Sequence, residues 1–185
     1  MPIPENASLT RLEPDTPRKP FNCENSDLNE FFNEDSIKHS QQLLAVTYAL
    51  ENEHETLAYF SVLNDSIRAG DTSNSRLKKH ILKYLPFSKR GYKSHPAVKI
   101  GRFAVSEGYK RQQIGTELMD YIKGYFIDNN KTGCRFITVD ANNINYVISF
   151  YQKNGFEFLT LNDALEKNRI MYFDLYPLSR GESPE

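Results

Sequence analysis

The chain has little with which to build a metal centre, a disulfide framework or a membrane span. Only two of its 185 residues are cysteines, Cys23 and Cys134. They stand far apart and fit no metal or redox spacing. We read both as reduced thiols in a cytoplasmic protein, a disulfide between them being the alternative. The histidines, His39, His54, His80 and His95, are scattered, and no close set of His, Cys and carboxylate offers a metal site. No window approaches the roughly 18 apolar residues of a membrane helix. The opening Met1-Pro2-Ile3-Pro4-Glu5 has neither the basic nor the apolar region of an export signal. Charge of one sign is lacking too: the formal net charge is −1, which excludes a uniformly basic nucleic-acid binder but leaves room for a local basic patch. There is no internal repeat.

What is present is ordinary for a globular protein, 39% hydrophobic and 25% charged, in a length that suits one domain with a real core. Residues 1–20 hold five of the nine prolines and read as an extended arm with a short strand near Leu9–Leu12. A first helix is expected from about Asn25-Ser26 to Ser40. Ser26 is its candidate cap, Asp27 and Glu30 complement its dipole, and Leu28, Phe31, Phe32 and Ile37 form its buried stripe. Leu43–Leu50 and Thr56–Leu63 read as a hairpin.

An insertion follows at about 68–95. Within 68–93, eight basic residues stand against the single acid Asp71, a net +7. Leu77, Ile81, Leu82 and Leu85 have helical spacing between Ser75, a candidate cap, and Pro86, a stop. Either this is an amphipathic helix with a basic face for a partner, or a solvated segment balancing an otherwise acidic chain.

The richest stretch is Val98–Phe158. A strand ending Gly101-Arg102-Phe103-Ala104-Val105 leads to the turn Lys110-Arg111-Gln112-Gln113-Ile114-Gly115-Thr116, which opens a helix with Ile114, Leu118, Tyr121, Ile122 and Tyr125 at helical spacing. A second strand, Arg135–Asp140, precedes a helix over about Asn143–Lys153 that ends Phe150-Tyr151-Gln152-Lys153-Asn154-Gly155-Phe156. Gly155 stands where a left-handed cap belongs. Phe156–Leu159 and Ile170–Tyr176 read as the last strands. A strand feeding a helix N-terminus with cations and one glycine is suited to phosphates; the alternative is an ordinary helix start with a solvated basic turn. Tyr151 can supply a proton beside such a ligand, or simply fill the core with Val147 and Ile148.

These segments together resemble the GNAT family of acetyl-CoA-dependent N-acetyltransferases, and the resemblance covers most of the chain. It implies an α+β fold: a mostly antiparallel twisted sheet of about six to seven strands, splayed between the fourth and fifth, with helices on both faces and residues 1–185 as one domain. The cosubstrate it implies is acetyl-CoA, with no metal. The family's turn reads Arg/Gln-x-x-Gly-x-Gly/Ala. Lys110 stands at its first position and Gly115 at its last, but Gln113 occupies the place of the first glycine, a departure that costs space and easy access to positive φ. Coenzyme contacts are implied for Lys110, Arg111, Gln112, Gln113, Ile114, Gly115 and Thr116, for Phe103, Ala104 and Val105, and for Asn142 and Phe150. The resemblance also implies that the Val105 N–H stabilises the oxyanion and that Tyr151 is the general acid. For Phe103–Val105 a plain core strand is the alternative. Arg102 either pairs with a carboxylate structurally or reaches an anionic acceptor. No general base stands out.

Phe21-Asn22-Cys23-Glu24-Asn25, followed by Leu28-Asn29-Glu30-Phe31-Phe32, is similar to one GNAT branch. That branch includes toxins of toxin–antitoxin pairs that acetylate the α-amine of aminoacyl-tRNA. The resemblance therefore implies tRNA, held through 68–93, and an antitoxin as candidate partners. The acceptor is otherwise a small-molecule or protein amine, and the protein a monomer or homodimer off the membrane. A non-catalytic acyl-CoA-binding module is the alternative that Gln113 motivates.

Overall fold

Every β-rich run outside the insertion becomes a strand of one sheet. The computed structural model describes residues 3–68, 70–72 and 94–181. The strands are β1 (Ser8–Leu12), β2 (Val46–Glu51), β3 (Thr56–Arg68), β4 (Ser94–Val105), β5 (Phe136–Asn142), β6 (Glu157–Phe158) and β7 (Asn168–Asp174). Their order is β1-β2-β3-β4-β5-β7-β6. The pairs β1–β2, β2–β3, β5–β7 and β6–β7 are antiparallel, and β4–β5 is parallel. The chain forms two compact units, Met1–Asn64 with Ile100–Ile122, and Asp65–Lys99 with Lys123–Glu185. Strands β3 and β4 each contribute residues to both units. The helix expected at 75–85 lies outside the described residues.

In the first unit the expected helix forms as three consecutive turns, Ser26–Glu30 (α), Phe31–Asp35 (π) and Ser36–Gln41 (α), together α1. Its cap is Asn25 rather than Ser26: the Asn25 side chain accepts from the Leu28 N–H at 3.1 Å. Asparagine and serine cap equally well, so adjacent candidates cannot be ranked from sequence. The π turn advances the buried face, so Ser36 is buried where Ile37 was expected and is only half-buried. The Ser36 hydroxyl donates back to the Phe32 carbonyl at 2.8 Å. Phe31 and Phe32 pack with Leu12, Cys23, Ala49, Tyr59 and Ala104.

Leu43 and Leu44 are not strand residues. Leu43 (φ +57) is the left-handed residue closing α1, and the Leu44 N–H donates to the His39 carbonyl. Both leucines are exposed, Leu43 to 93%. The helix ends at Gln41, beside the expected Ser40; it is the strand start expected at Leu43 that moves, to Val46, because a leucine takes the left-handed position that favours glycine. β3 also runs five residues beyond Leu63 to Arg68.

The helix after the turn is α2 (Ile114–Ile127). Within the first unit Ile114, Leu118, Met119 and Ile122 are buried and Tyr121, expected inside, is 45% exposed. At 100° per residue Tyr121 and Met119 lie equally far, on opposite sides, from the centre of the arc between Leu118 and Ile122, so the helical period alone does not decide which is buried. In the second unit Ile67, Ala97, Phe136, Leu159 and Tyr172 form a core cluster, α3 (Asn145–Lys153) follows β5, and Tyr176 opens out of β7 into the short helix α4 (Leu175–Ser179). Cys23 and Cys134 are free and buried, as expected.

Candidate active site

The turn before α2 is built from left-handed residues without glycine. Lys110 is extended (φ −62, ψ 149), Arg111 takes φ +62 and Gln113 φ +65. Left-handed residues at alternate positions are the arrangement of an anion-binding backbone nest, here joined to the N-terminus of a 14-residue helix. The Gln113 carbonyl accepts from the Glu117 N–H at 3.1 Å and so starts the helix. Gln113 thus adopts the conformation for which the family pattern keeps a glycine. Arg111, Gln112, Gln113 and Thr116 are exposed, and Ile114 anchors the turn in the core.

A left-handed non-glycine residue costs about 1–2 kcal/mol. Gln113→Gly removes that cost against a somewhat smaller entropic loss, so it is expected to keep the melting temperature and acetyl-CoA affinity at or above wild type. Gln113→Val, whose branched side chain resists positive φ, is expected to lower both. Calorimetric titration and thermal melts of the pair check this; the opposite ranking removes the strained-turn account.

A loop at 21–29 braces the turn. The Asn29 side-chain oxygen accepts from the Cys23 N–H (3.0 Å) and thiol (3.2 Å), and its amide donates to the Asn22 side chain (2.9 Å). The Asn22 carbonyl accepts from the Ser106 hydroxyl (3.2 Å) and the Glu107 N–H (2.9 Å). The Lys110 ammonium donates to the Cys23 carbonyl (2.9 Å) and to Glu24 (2.7 Å). Lys110, expected to face a phosphate, therefore ties this loop to the turn. Its amine holds the exposed Glu24 carboxyl below its ordinary range. Sequence reading missed the bracing role of Asn22 and Asn29; the signal available was the local hydrogen-bonding habit of asparagine.

Upstream, β4 carries Phe103, Ala104 and Val105. Ala104 is buried and Phe103 and Val105 half-buried. The next residue, Ser106, donates its N–H to the Leu57 carbonyl at 2.8 Å. The carboxylate that one sequence reading gave Arg102 is absent among the described residues: the guanidinium lies 5.0 Å from the Phe31 ring centroid and donates to the Gly101 carbonyl at 2.9 Å.

In the second unit, the ending Phe150-Tyr151…Gly155-Phe156 is a helix cap with its hydrophobic contact. Gly155 is left-handed (φ +79). Its N–H donates to the Gln152 carbonyl (2.9 Å), and the Phe156 N–H donates to the Tyr151 carbonyl (3.0 Å). This pair of bonds defines a Schellman motif, in which the residue after the glycine packs on the one whose carbonyl it caps. The Tyr151 and Phe156 rings meet edge-on at 5.4 Å, and Phe150 lies 5.3 Å from Tyr151. Tyr151 is 9% exposed, and its hydroxyl has no hydrogen-bond partner among the described residues. Asn142 ends β5 opposite Asn168, exposed.

Burial raises the Tyr151 phenol well above its ordinary range, so it keeps its proton throughout neutral pH. Tyr59, whose hydroxyl donates to the Leu28 carbonyl at 2.8 Å, is raised by burial as well. Below about pH 10 folded and unfolded chains both hold these protons, and stability does not respond to them. Above it the unfolded chain releases protons that the folded chain keeps, so stability falls as pH rises. Melting temperatures above pH 10 are expected to drop less steeply in Tyr59→Phe than in wild type; equal slopes refute the assignment.

Residues 77–158 match the family model described as an acetyltransferase (GNAT) domain. Over this stretch the chain is similar to GNAT acetyltransferases. Solved structures agree along almost its full length. AtaT complexed with acetyl-methionyl-tRNAfMet has a TM-score of 0.76 at 18% identity, covering 94% of this chain and 98% of AtaT. AtaTR bound with AcCoA has a TM-score of 0.75 at 17% identity, covering 95% and 98%. A tyrosine-to-phenylalanine mutant of KacT has a TM-score of 0.77 at 18% identity, covering 95% and 99%. Identities this low speak for the fold alone, which the chain shares with these proteins. No curated protein sequence matches the chain.

Other titratable groups have structural settings. His39 stands edge-on to Phe31 at 5.3 Å, and His95 lies 6.2 Å from Phe136, with burial lowering its pKa. Among the described residues no group of His, Cys, Asp and Glu is placed to hold a metal ion, and no helix is long and apolar enough to cross a membrane.

Proposed function

We propose that the protein transfers the acetyl group of acetyl-CoA to the α-amine of an aminoacyl-tRNA. The observation that carries the chemistry is Tyr151, a buried, protonated phenol held by a Schellman cap with no partner of its own among the described residues. The left-handed turn at 111–113 and the start of α2 hold the pyrophosphate. Gln113 adopts positive φ, the conformation expected of the family's glycine, which supports coenzyme binding at this turn. The amine, having lost a proton to water, attacks the thioester carbonyl. The Val105 N–H donates to the oxyanion as the C–N bond forms. The new C–N nitrogen gives its second proton to water, the C–S bond breaks, and the leaving thiolate takes the Tyr151 proton, which solvent replaces.

The acceptor rests on likeness. AtaT, similar over nearly its whole length, was solved with acetyl-methionyl-tRNAfMet, and its mutant form with the C-terminus of the antitoxin AtaR. The +7 segment at 68–93 adds a phosphate-binding charge, and we propose an antitoxin as a second partner. The test is thiol release from acetyl-CoA by the purified full chain with charged tRNA, free amino acids or polyamines. Release only with charged tRNA, and acetylated aminoacyl ester in the product, supports the proposal. Release with small amines but not tRNA leaves an acetyltransferase with another acceptor; tight acetyl-CoA binding without release for any acceptor overturns the enzyme reading.

A further inference from the structure

Four arginines among the described residues lie over aromatic rings, Arg102, Arg135, Arg169 and the exposed Arg180 over Tyr176, whose hydroxyl it also bonds; the first three differ in their anions. Arg135, over Phe136 and Tyr176, is bonded twice to Asp174, at 3.1 and 2.9 Å. Arg169, over Phe158, bonds Asp163 at 2.7 Å. Both are finished structural ion pairs. Arg102 has the ring, Phe31, at 5.0 Å, but no carboxylate. Of its five N–H donors one is used among the described residues, by the carbonyl of its own neighbour Gly101. Its Nε is buried with no partner among the described residues.

An aromatic face stabilises a cation without neutralising it. A half-buried guanidinium with open donors is therefore poised for a planar oxyanion, to which arginine presents a rigid fork. The surroundings favour a ligand over an internal partner. Phe31 opens the π-helical turn Phe31–Asp35, an irregularity frequent at functional sites. Phe31 also stacks on Tyr59 at 6.2 Å, whose hydroxyl is spent on the Leu28 carbonyl. Arg102 stands three residues before Val105 on β4, about 10 Å at the rise of a strand. The single bonds between the α-amine of an aminoacyl-tRNA and its terminal 5′-phosphate can cover that span.

We infer that Arg102 binds the acceptor, its guanidinium taking a backbone phosphate at the 3′ end of the tRNA while Phe31 holds it in place. The inference rests on the aminoacyl-tRNA reading above and adds a residue to it. Its test compares the wild type, Arg102→Gln and Arg102→Lys as full chains. Binding of fluorescein-labelled tRNA is followed between 50 and 200 mM salt, beside kcat and KM for charged tRNA, acetyl-CoA titration and thermal melts. One lost single-strand phosphate contact lowers the slope of log K against log salt by about 0.7. Arg102→Gln is expected to show that drop and a KM for charged tRNA raised about 10–100-fold, with kcat and acetyl-CoA affinity kept. Arg102→Lys keeps the charge and the ring contact, so it retains the slope and loses only the fork, with a smaller rise in KM. If Arg102→Gln does not fold, an unchanged KM in Arg102→Lys overturns the inference. Wild-type binding with the same slope in Arg102→Gln also overturns it and leaves the tRNA reading standing. Failure of the wild type to bind tRNA ends both, and acetyl-CoA titration then still decides the transferase.

Discussion

Tyr151→Phe is expected to lower kcat about 10²–10⁴-fold, the ordinary worth of a positioned general acid, while acetyl-CoA affinity and melting temperature stay close to wild type. The substitution removes one oxygen. The ring contacts with Phe150 and Phe156 remain, and the cap runs through the main-chain carbonyl of residue 151. The hydroxyl has no hydrogen-bond partner among the described residues to forfeit, so the loss falls on chemistry. A donor thioester of a more acidic thiol needs less protonation as it leaves, and with such a donor the deficit of the variant should shrink. Because burial raises the Tyr151 pKa, the wild-type rate should show no descending limb from this group below about pH 10. Wild-type kcat in Tyr151→Phe, or a deficit that does not respond to the leaving group, removes Tyr151 from the role.

The cap was legible in the sequence because its parts have chemical signatures: a glycine where φ must be +79 and an aromatic pair flanking it. The phosphate turn was only half legible. Its glycine signal is missing, yet Arg111 and Gln113 are left-handed all the same, since the loop at 21–29 and the buried Ile114 fix the turn from both sides. Backbone conformation imposed by tertiary contacts leaves no local trace. The same limit explains the strand start misplaced at Leu43 and the π turn at Phe31–Asp35, where the apolar spacing read as a plain helix. Lys110 shows a different limit. Its charge and position suit a phosphate, but the nearby Cys23 carbonyl and Glu24 are 87 and 86 residues away in sequence, and only the fold brings them to it.

Phe156→Ala is expected to cost about 3–5 kcal/mol of stability, as large aromatic truncations in cores do, and to reduce turnover in the protein that remains folded. Phe156 is 2% exposed and packs against Tyr151 and Phe173, 5.6 Å away. Against a typical stability of about 5–15 kcal/mol such a loss is severe, so assays belong well below the lowered melting temperature. The catalytic effect follows from geometry: without the Phe156 ring the Schellman cap loses its hydrophobic contact, and Tyr151 loses one of the two rings known to hold it. Phe156→Leu keeps most of the volume and is expected to recover stability to within about 1.5 kcal/mol. If Tyr151 acts through its position, kcat per folded molecule should fall in Phe156→Ala and return in Phe156→Leu. A kcat per folded molecule that stays at wild type in Phe156→Ala would show that the phenol needs no such support, and that the cap serves the fold alone.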